Sequence, residues 1–137
     1  MPSTIMCIDD RPQVLALRKA KLETQGYAVL LASSGYDGIR ILQKTPADAV
    51  LLEYKEEGID AEAVAFHIKE RFPDLPIILL SAYSAMSERI LWLVDEYVMK
   101  SAPLEELVQI IERAMQLTLR KAMASEIPPA ARRHAAA

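Results

Sequence analysis

Short runs of apolar residues alternate along the chain with longer segments in which apolar residues recur every three or four positions. Each short run is almost continuously apolar, which is typical of a strand covered on both faces in a parallel sheet. The five runs are residues 4–8, 28–32, 49–54, 77–80 and 96–99. Because parallel strands need a crossover connection, usually a helix, the segments between and after these runs predict five helices.

Residues that favour the beginning or end of a helix mark the limits of these segments. Pro12 suits the first turn of the first helix, and Gly26 follows that helix as its stop. Ser34 and Asp60 are the predicted N-caps of the second and third helices. Pro103 opens a long fifth helix.

The fourth helix, predicted over about residues 85–94, is short and unusually apolar. Residues 90–94 are all apolar, so they surround the helix on every side. Because such a helix cannot bury every side against one sheet, we expect Trp92 to be exposed and to anchor a partner. Burial of Trp92 in the core is the alternative.

This alternation predicts an α/β fold: a flavodoxin-like, doubly wound, five-stranded parallel sheet of order 2-1-3-4-5 with five helices. Residues 1–124 are expected to form the domain, with a loop over residues 54–59 that turns at Gly58. The apolar periodicity of the last helix fades after Leu119. Residues 125–137 are expected to be a tail, a linker stub or residues added for expression.

Composition and charge narrow the choice of partners and compartment. The 137 residues include 16 Lys and Arg against 19 Asp and Glu, a net charge of −3. This balance gives no electrostatic reason to bind nucleic acid or an anionic membrane. No apolar run approaches the roughly 20 residues of a transmembrane helix, and the first residues lack the features of a signal peptide. Cys7 is the only cysteine, so no disulfide framework can form, and we expect a cytoplasmic protein.

Polar residues stand at the C-terminal ends of four of the predicted strands. They are Asp9 and Asp10, Glu53, Ser81 and Lys100. Because the carboxyl ends of parallel strands meet in one crevice, we expect these side chains to lie together. Clustered carboxylates repel one another, and a nearby ammonium or a metal ion would relieve that repulsion.

In order and spacing, these segments resemble the receiver domain of two-component response regulators over about residues 4–119. The matching segments are Asp9-Asp10 and residues 48–53, 76–82, 96–100 and 104–107. Each segment alone is a weak signal, and the resemblance comes from five segments in the right order. It implies a signalling domain of a phosphorelay, with the flavodoxin-like fold, rather than an enzyme.

The resemblance also implies a role for each residue in the crevice. In that family the acid pair holds Mg²⁺ and the carboxylate that ends the third strand accepts a phosphoryl group, so Glu53 stands at the phosphoacceptor position. The implied metal ligands are Asp9, Asp10, Glu53 and the backbone carbonyl of Lys55. The implied switch and phosphate-sensing positions are Ser81, Tyr97 and Lys100. Mg²⁺ prefers such hard oxygen ligands; a vestigial site that binds no metal is the alternative.

The chain departs from the family pattern at three places. Glu53 stands where the family has Asp, and its extra methylene adds about 1.5 Å of reach. Since a nucleophile misplaced by about 1 Å can lose a hundredfold in rate, phosphoryl transfer is expected to be slow or absent. The longer side chain would instead accept a hydrogen bond from Ser81 and pair with Lys100, which partly imitates the phosphorylated state. Ser101 stands where many receivers have Pro, and residues 81–100 form a shortened segment.

We therefore predict an atypical receiver domain that acts independently of phosphorylation, through protein–protein interaction. Weak phosphorylation of Glu53 is the first alternative. A phosphohydrolase with Asp9 as nucleophile is a lesser one, because those enzymes have an Asp-x-Asp pattern whereas this chain reads Asp9-Asp10-Arg11. A flavin or nucleotide carrier would need phosphate-binding amides where two carboxylates stand, and the chain has neither G-x-G-x-x-G nor a P-loop.

The expected partner is a protein: a histidine kinase, a phosphotransfer protein or an effector. We expect it to bind the face formed by the fourth helix, the fifth strand and the fifth helix, which includes Trp92. A homodimer through the fourth and fifth helices is open, since no residue pattern specifies it. The identity of the partner and the binding of metal are also left open by the sequence.

Overall fold

The structure, a computed structural model, describes residues 2–55 and 60–125. Strands and helices alternate along these residues. The strands are β1 (Thr4–Ile8), β2 (Ala28–Ala32), β3 (Ala49–Glu53), β4 (Ile77–Ser81) and β5 (Glu96–Met99). The helices are α1 (Pro12–Glu23), α2 (Gly35–Lys44), α3 (Ala61–Arg71), α4 (Glu88–Leu93) and α5 (Leu104–Ser125). The predicted turn at Gly58 lies outside the described residues. Of the tail predicted over residues 125–137, Ser125 ends α5 and the rest lies outside the described residues.

The strands form one parallel sheet in the order β2-β1-β3-β4-β5. This confirms the predicted flavodoxin-like, doubly wound α/β fold with five helices. The carboxyl ends of the three central strands are adjacent, because Ile8 lies opposite Leu52 and Glu53 lies opposite Leu80. The residues that follow these strands therefore share one edge of the sheet.

Alternate residues of the central strands point to opposite faces of the sheet, as the two-residue period of a strand requires. One face packs against α2, α3 and α4 through a core that includes Met6, Ile8, Val50 and Leu52. The other face packs against α1 and α5 through a second core that includes Ile5, Cys7, Ala49 and Leu51. Because both faces are covered, the strands are almost continuously apolar.

The predicted helix boundaries at three positions are confirmed by their hydrogen bonds and backbone angles. The Ser34 hydroxyl accepts a hydrogen bond from the Asp37 backbone N–H at 3.1 Å. The Asp60 carboxylate accepts one from the Ala63 N–H at 3.1 Å. Gly26, just after α1, has φ of 89°, a left-handed conformation that glycine adopts without steric cost.

Helix α4 begins three residues later than the prediction of residues 85–94. Ser87 has an extended backbone, and its hydroxyl accepts from the Ile90 N–H at 3.4 Å, so Ser87 is the N-cap. The helix is six residues long. It buries Ile90 against the sheet and leaves 86 % of Trp92 exposed, which matches the expectation that such an apolar helix cannot bury every side.

No helix within the described residues is long and apolar enough to cross a bilayer.

Candidate functional site

The crevice at the carboxyl edge of the sheet contains the acids that the sequence predicted there. Asp9 directly follows β1, and its backbone N–H donates to the carbonyl of Ala32 at 3.2 Å, which extends the pairing of β1 with β2. Glu53 is the last residue of β3. Both acids are almost completely buried, with 2 % and 3 % exposure. Buried carboxylates of this kind need partners for their charge.

Glu53 is surrounded by three cationic side chains. The Lys100 ammonium contacts its Oε1, as the sequence predicted. Nη2 of Arg11 donates to the same oxygen at 3.0 Å. Nη2 of Arg18, from α1, lies 3.6 Å from Oε2. Both carboxylate oxygens of Glu53 are therefore engaged by positive charge from the chain itself.

Asp9 is held by Arg11 through both the backbone and the side chain. The Arg11 backbone N–H donates to Oδ1 at 2.9 Å, and the guanidinium donates to Oδ1 at 3.3 Å and to Oδ2 at 3.2 Å. Burial favours the neutral form of Asp9. The hydrogen bonds from Arg11 and the charges of Arg11 and Lys55 outweigh burial and lower the pKa of the Asp9 carboxyl.

Asp10 and Lys55 form a second ion pair at the outer side of the crevice. The Lys55 ammonium contacts Oδ1 of Asp10 and lies 4.0 Å from Oδ1 of Asp9. The resemblance implied only a backbone carbonyl from Lys55. The side chain, two residues beyond the end of β3, reaches back over the acid pair and adds a charge to the crevice.

Ser81 lies at the end of β4 and is fully buried, but its hydroxyl bonds its own loop rather than Glu53. The hydroxyl oxygen accepts from the Tyr83 N–H at 2.9 Å, and the hydroxyl O–H donates to Sδ of Met86 at 3.6 Å. The expected hydrogen bond from Ser81 to Glu53 is wrong, since none joins the two side chains within the described residues. The extra reach of Glu53 is directed instead toward Lys100 and Arg11.

Tyr97 of β5 is partly buried and packs against the core on the α2–α4 face of the sheet. Its hydroxyl donates to the backbone carbonyl of Tyr83 and lies 3.1 Å from Sδ of Met99. Tyr97 therefore contacts the same β4–α4 loop as Ser81. This contact links β5 to the loop that leaves the crevice.

Two of the cations around Glu53, Arg11 and Arg18, were not predicted as site residues. The sequence contained a signal: Arg11 immediately follows the acid pair, and Arg18 lies seven residues further along. Arg11 is the N-cap residue of α1 and Arg18 lies in the second turn, so both stand in the N-terminal part of the helix that begins at the crevice. Burial lowers the pKa of Arg18 from its ordinary value. Burial also lowers the pKa of Lys100, and the nearby charge of Arg11 acts in the same direction.

The carboxylates of this crevice do not fit a metal ion in the arrangement that the structure has. Within the described residues, no group of three or more His, Cys, Asp or Glu side chains is placed to hold one. Glu53 and Asp9 have both oxygens bound by cationic side chains, and one oxygen of Asp10 is bound by Lys55. Mg²⁺ requires nearly ideal octahedral oxygen geometry, which these ion pairs do not leave open.

A separate groove of about 700 Å³ lies between α3 and α4. Its aromatic lining is formed by Trp92 from α4 and by Phe66 from α3, which is half exposed. Glu62 and Arg89 pair across the groove at 3.0 Å between the carboxylate and Nε. Large exposed apolar side chains next to one another are typical of contact surfaces.

Comparison with known proteins assigns the family. Residues 5–112 match the family model of the response regulator receiver domain. Response regulator MprA of Mycobacterium sp. (strain KMS) is 31% identical over 121 residues, which cover 86% of this chain and 53% of that protein. Transcriptional regulatory protein GlrR of Escherichia coli (strain K12) is 26% identical over 84% of this chain and 27% of that protein. The chain thus spans between about a quarter and about half of the length of these relatives.

Solved structures agree with this assignment. Response regulator protein TrrA from Thermotoga maritima, solved in complex with Mg²⁺-BeF, has a TM-score of 0.74 and 33% identity over 82% of this chain and 98% of that chain. A CheY-like receiver domain protein from Methanospirillum hungatei has a TM-score of 0.80 over 88% of this chain and 99% of that chain; at 20% identity it supports the fold alone. With its fold, its acid crevice and the match over residues 5–112, the chain belongs to the response regulator receiver domain family.

Proposed function

We propose that this receiver domain signals without phosphorylation, as a binding module in which Glu53 partly imitates the phosphorylated state. Receiver domains work in two-component signalling, where they interact with kinases and effector domains. The observation that carries the proposal is the contact of the Lys100 ammonium with buried Glu53. The resemblance assigns Lys100 to phosphate sensing, and here the Lys100 ammonium is already paired with the Glu53 carboxylate of the same chain.

The state of Glu53 also argues against its action as a phosphoryl acceptor. An acceptor carboxylate needs a free oxygen directed at the incoming phosphorus, since transfer depends on positioning. Both oxygens of Glu53 are engaged by Arg11, Arg18 and Lys100, and the side chain is about 1.5 Å longer than Asp. The imitation is partial, because a carboxylate has one charge and two oxygens against about two charges and three oxygens.

The same geometry disfavours catalysis at Asp9. A phosphohydrolase nucleophile would need a free carboxylate oxygen, and both oxygens of Asp9 accept hydrogen bonds from Arg11. The chain also lacks the second acid of an Asp-x-Asp pattern, because Arg11 stands two residues after Asp9. We therefore propose a domain that binds rather than an enzyme.

We propose that the partner is a kinase, a phosphotransfer protein or an effector, and that it contacts the face of α4, β5 and α5. The candidate anchor is Trp92 of α4, which lines the adjoining groove between α3 and α4, since exposed Trp residues contribute strongly to protein interfaces. Glu96 of β5 and Arg113 of α5 form a two-pronged pair at 2.8 and 2.9 Å on this face, which would contribute a polar rim. A homodimer through the same face remains part of the proposal and is tested with it.

The experiment is intact-mass measurement after incubation with Mg²⁺ and a small acyl-phosphate donor, for the wild type beside Glu53→Asp. We expect no phosphoryl adduct on the wild type, and one adduct on Glu53→Asp, because the shorter carboxylate withdraws from the cations. An adduct on the wild type would contradict the proposal and make Glu53 a working acceptor. If neither protein is modified, the wild type is still not a phosphoryl acceptor, and a feature other than the length of side chain 53 prevents the transfer.

A further inference from the structure

Arg11 lies where its guanidinium connects the two most buried acids of the crevice. Nη2 donates to Oδ2 of Asp9 at 3.2 Å and to Oε1 of Glu53 at 3.0 Å, so a single nitrogen bridges the carboxylates. Nε donates to Oδ1 of Asp9 at 3.3 Å and makes the contact with Asp9 two-pronged. A planar guanidinium that bridges two carboxylates supplies the charge neutralisation that the resemblance assigned to a divalent cation.

We propose that Arg11 replaces the divalent metal ion of this crevice, so that the crevice is neutralised by the chain itself and does not bind Mg²⁺. The inference rests on the proposed function in one respect. Signalling without phosphorylation needs a crevice that keeps a single state, and a crevice neutralised without a metal ion keeps one. The claim about metal binding can be tested without any phosphoryl donor.

The local backbone explains why Arg11 turns back over the acids. Arg11 is the N-cap residue of α1, with φ of −106° and ψ of 110°, and its side chain makes no capping bond. Its backbone N–H is used by Asp9 at 2.9 Å, and Pro12 follows at the first position of the helix. The side chain is therefore free to reach the crevice, where Asp9 accepts from Nε and Nη2 and Glu53 accepts from Nη2.

The charge balance of the crevice is already favourable without a metal ion. Among the described residues that pair in the crevice, three carboxylates belong to Asp9, Asp10 and Glu53, and four cations belong to Arg11, Arg18, Lys55 and Lys100. These seven side chains sum to one positive charge. A divalent cation would have to displace side chains from their carboxylates and would then lie within a few ångströms of four positive groups, which repel it.

The resemblance implied that the same carboxylates are ligands of Mg²⁺, with a vestigial site that binds no metal as the alternative. The crevice differs from the implied Mg²⁺ site because of the contacts of three residues, which the positions of the acids in the sequence do not reveal. Arg11 bridges two acids, Lys55 pairs with the third, and Glu53 reaches further into the cations than Asp would. Mg²⁺ loses its hydration water reluctantly and cannot compete well with ligands that are already paired.

The test is titration with Mg²⁺ by isothermal calorimetry, and with Mn²⁺ by the paramagnetic signal of the free ion, on the full chain. The informative variant is Arg11→Ser, which removes the guanidinium and introduces a residue that N-caps helices well, so α1 should not be weakened. Arg11→Asn is a second variant with the same property. Arg40→Ser is the matched control, because Arg40 pairs only with Asp37 in the described part of the chain, on α2, at 3.5 Å.

We expect the wild type and Arg40→Ser to show no saturable binding, and Arg11→Ser to bind one ion. The affinity of Arg11→Ser should exceed the upper limit set by the wild-type titration by about tenfold or more, the size of change that altered surroundings of metal ligands produce. Adding Asp9→Asn to Arg11→Ser should abolish the gained site. The inference is overturned if the wild type binds one ion as tightly as Arg11→Ser, or if neither Arg11 variant gains a site while both remain folded by circular dichroism.

The outcome is separable from that of the mass experiment. If the wild type binds metal but gains no phosphoryl adduct, this inference is contradicted and the proposal of signalling without phosphorylation is not. An adduct on the wild type would contradict the proposed function whatever the metal titration gives.

Discussion

Replacing Glu53 with glutamine removes one charge from the crevice and leaves the shape of the side chain almost unchanged. The sign of its effect on stability depends on which electrostatic interaction dominates. If repulsion among the three acids dominates, the amide stabilises the protein. If attraction to Arg11, Arg18 and Lys100 dominates, it destabilises the protein. The contacts of the structure favour destabilisation, since Glu53 faces three cations.

The magnitude follows from the burial of the partners. Removing one member of a fully buried ion pair costs about 3–5 kcal/mol, because the other charge is left uncompensated. Here Glu53 is buried, but the side chains of Arg11, Arg18 and Lys100 keep 43%, 21% and 25% exposure and retain part of their hydration. Exposed pairs contribute about 0.2–1 kcal/mol each. We therefore expect Glu53→Gln to lower the free energy of unfolding by about 1–3 kcal/mol.

The assay is urea unfolding of the wild type and Glu53→Gln at neutral pH, with a chelator present. The matched control is Glu62→Gln on α3, whose pair with Arg89 is largely exposed, and which should cost no more than about 1 kcal/mol. An unchanged or increased stability of Glu53→Gln would mean that the cations do not hold Glu53 and would contradict this prediction. The slope of the unfolding curve should match that of the wild type.

Two further predictions test the surface and the acid pair. Trp92→Ala should weaken partner binding, measured by calorimetry or, for a homodimer, by sedimentation, and should change the melting temperature little, because 86 % of the side chain is exposed; a large fall in melting temperature would mean that Trp92 supports the core. Asp9→Asn should be less stable than the wild type at every pH above 3.8, the ordinary pKa of Asp. The difference in the free energy of unfolding should shrink as pH falls through the lowered pKa of Asp9, where the wild-type carboxyl also becomes neutral. A difference that stays constant in urea unfolding from neutral to acid pH would contradict this assignment.

The fold could be predicted from the sequence because its signals are local and repeated. Continuously apolar strands, the caps at Ser34 and Asp60 and the stop at Gly26 each act within a few residues, and their alternation leaves few topologies. The start of α4 was harder to predict. Residues 85 and 86 are compatible with a helix, and only the hydrogen bond from Ile90 to Ser87 decides the boundary.

The acids of the site could be predicted from the ends of the strands, whereas their partners could not. The sheet order determines that Asp9 and Glu53 meet, since both stand at carboxyl ends of adjacent strands. The direction of a long side chain depends on competing charges and on the rotation of a helix. The contacts of Arg11, Arg18 and Lys55 with the acids therefore become visible only in the structure. The same limit applies to Ser81, whose hydroxyl bonds Met86 in its own loop.

A crevice that holds one state does not respond to a phosphoryl donor. The most direct measurement is the amide nuclear magnetic resonance spectrum of the wild type, recorded alone, then with Mg²⁺, then with an acyl-phosphate donor added. We expect the resonances of Glu53, of the loop after Ser81 and of Lys100 to stay in place at every step. A second set of resonances for these residues after the donor is added would show that the crevice accepts a phosphoryl group and switches, and would contradict signalling without phosphorylation.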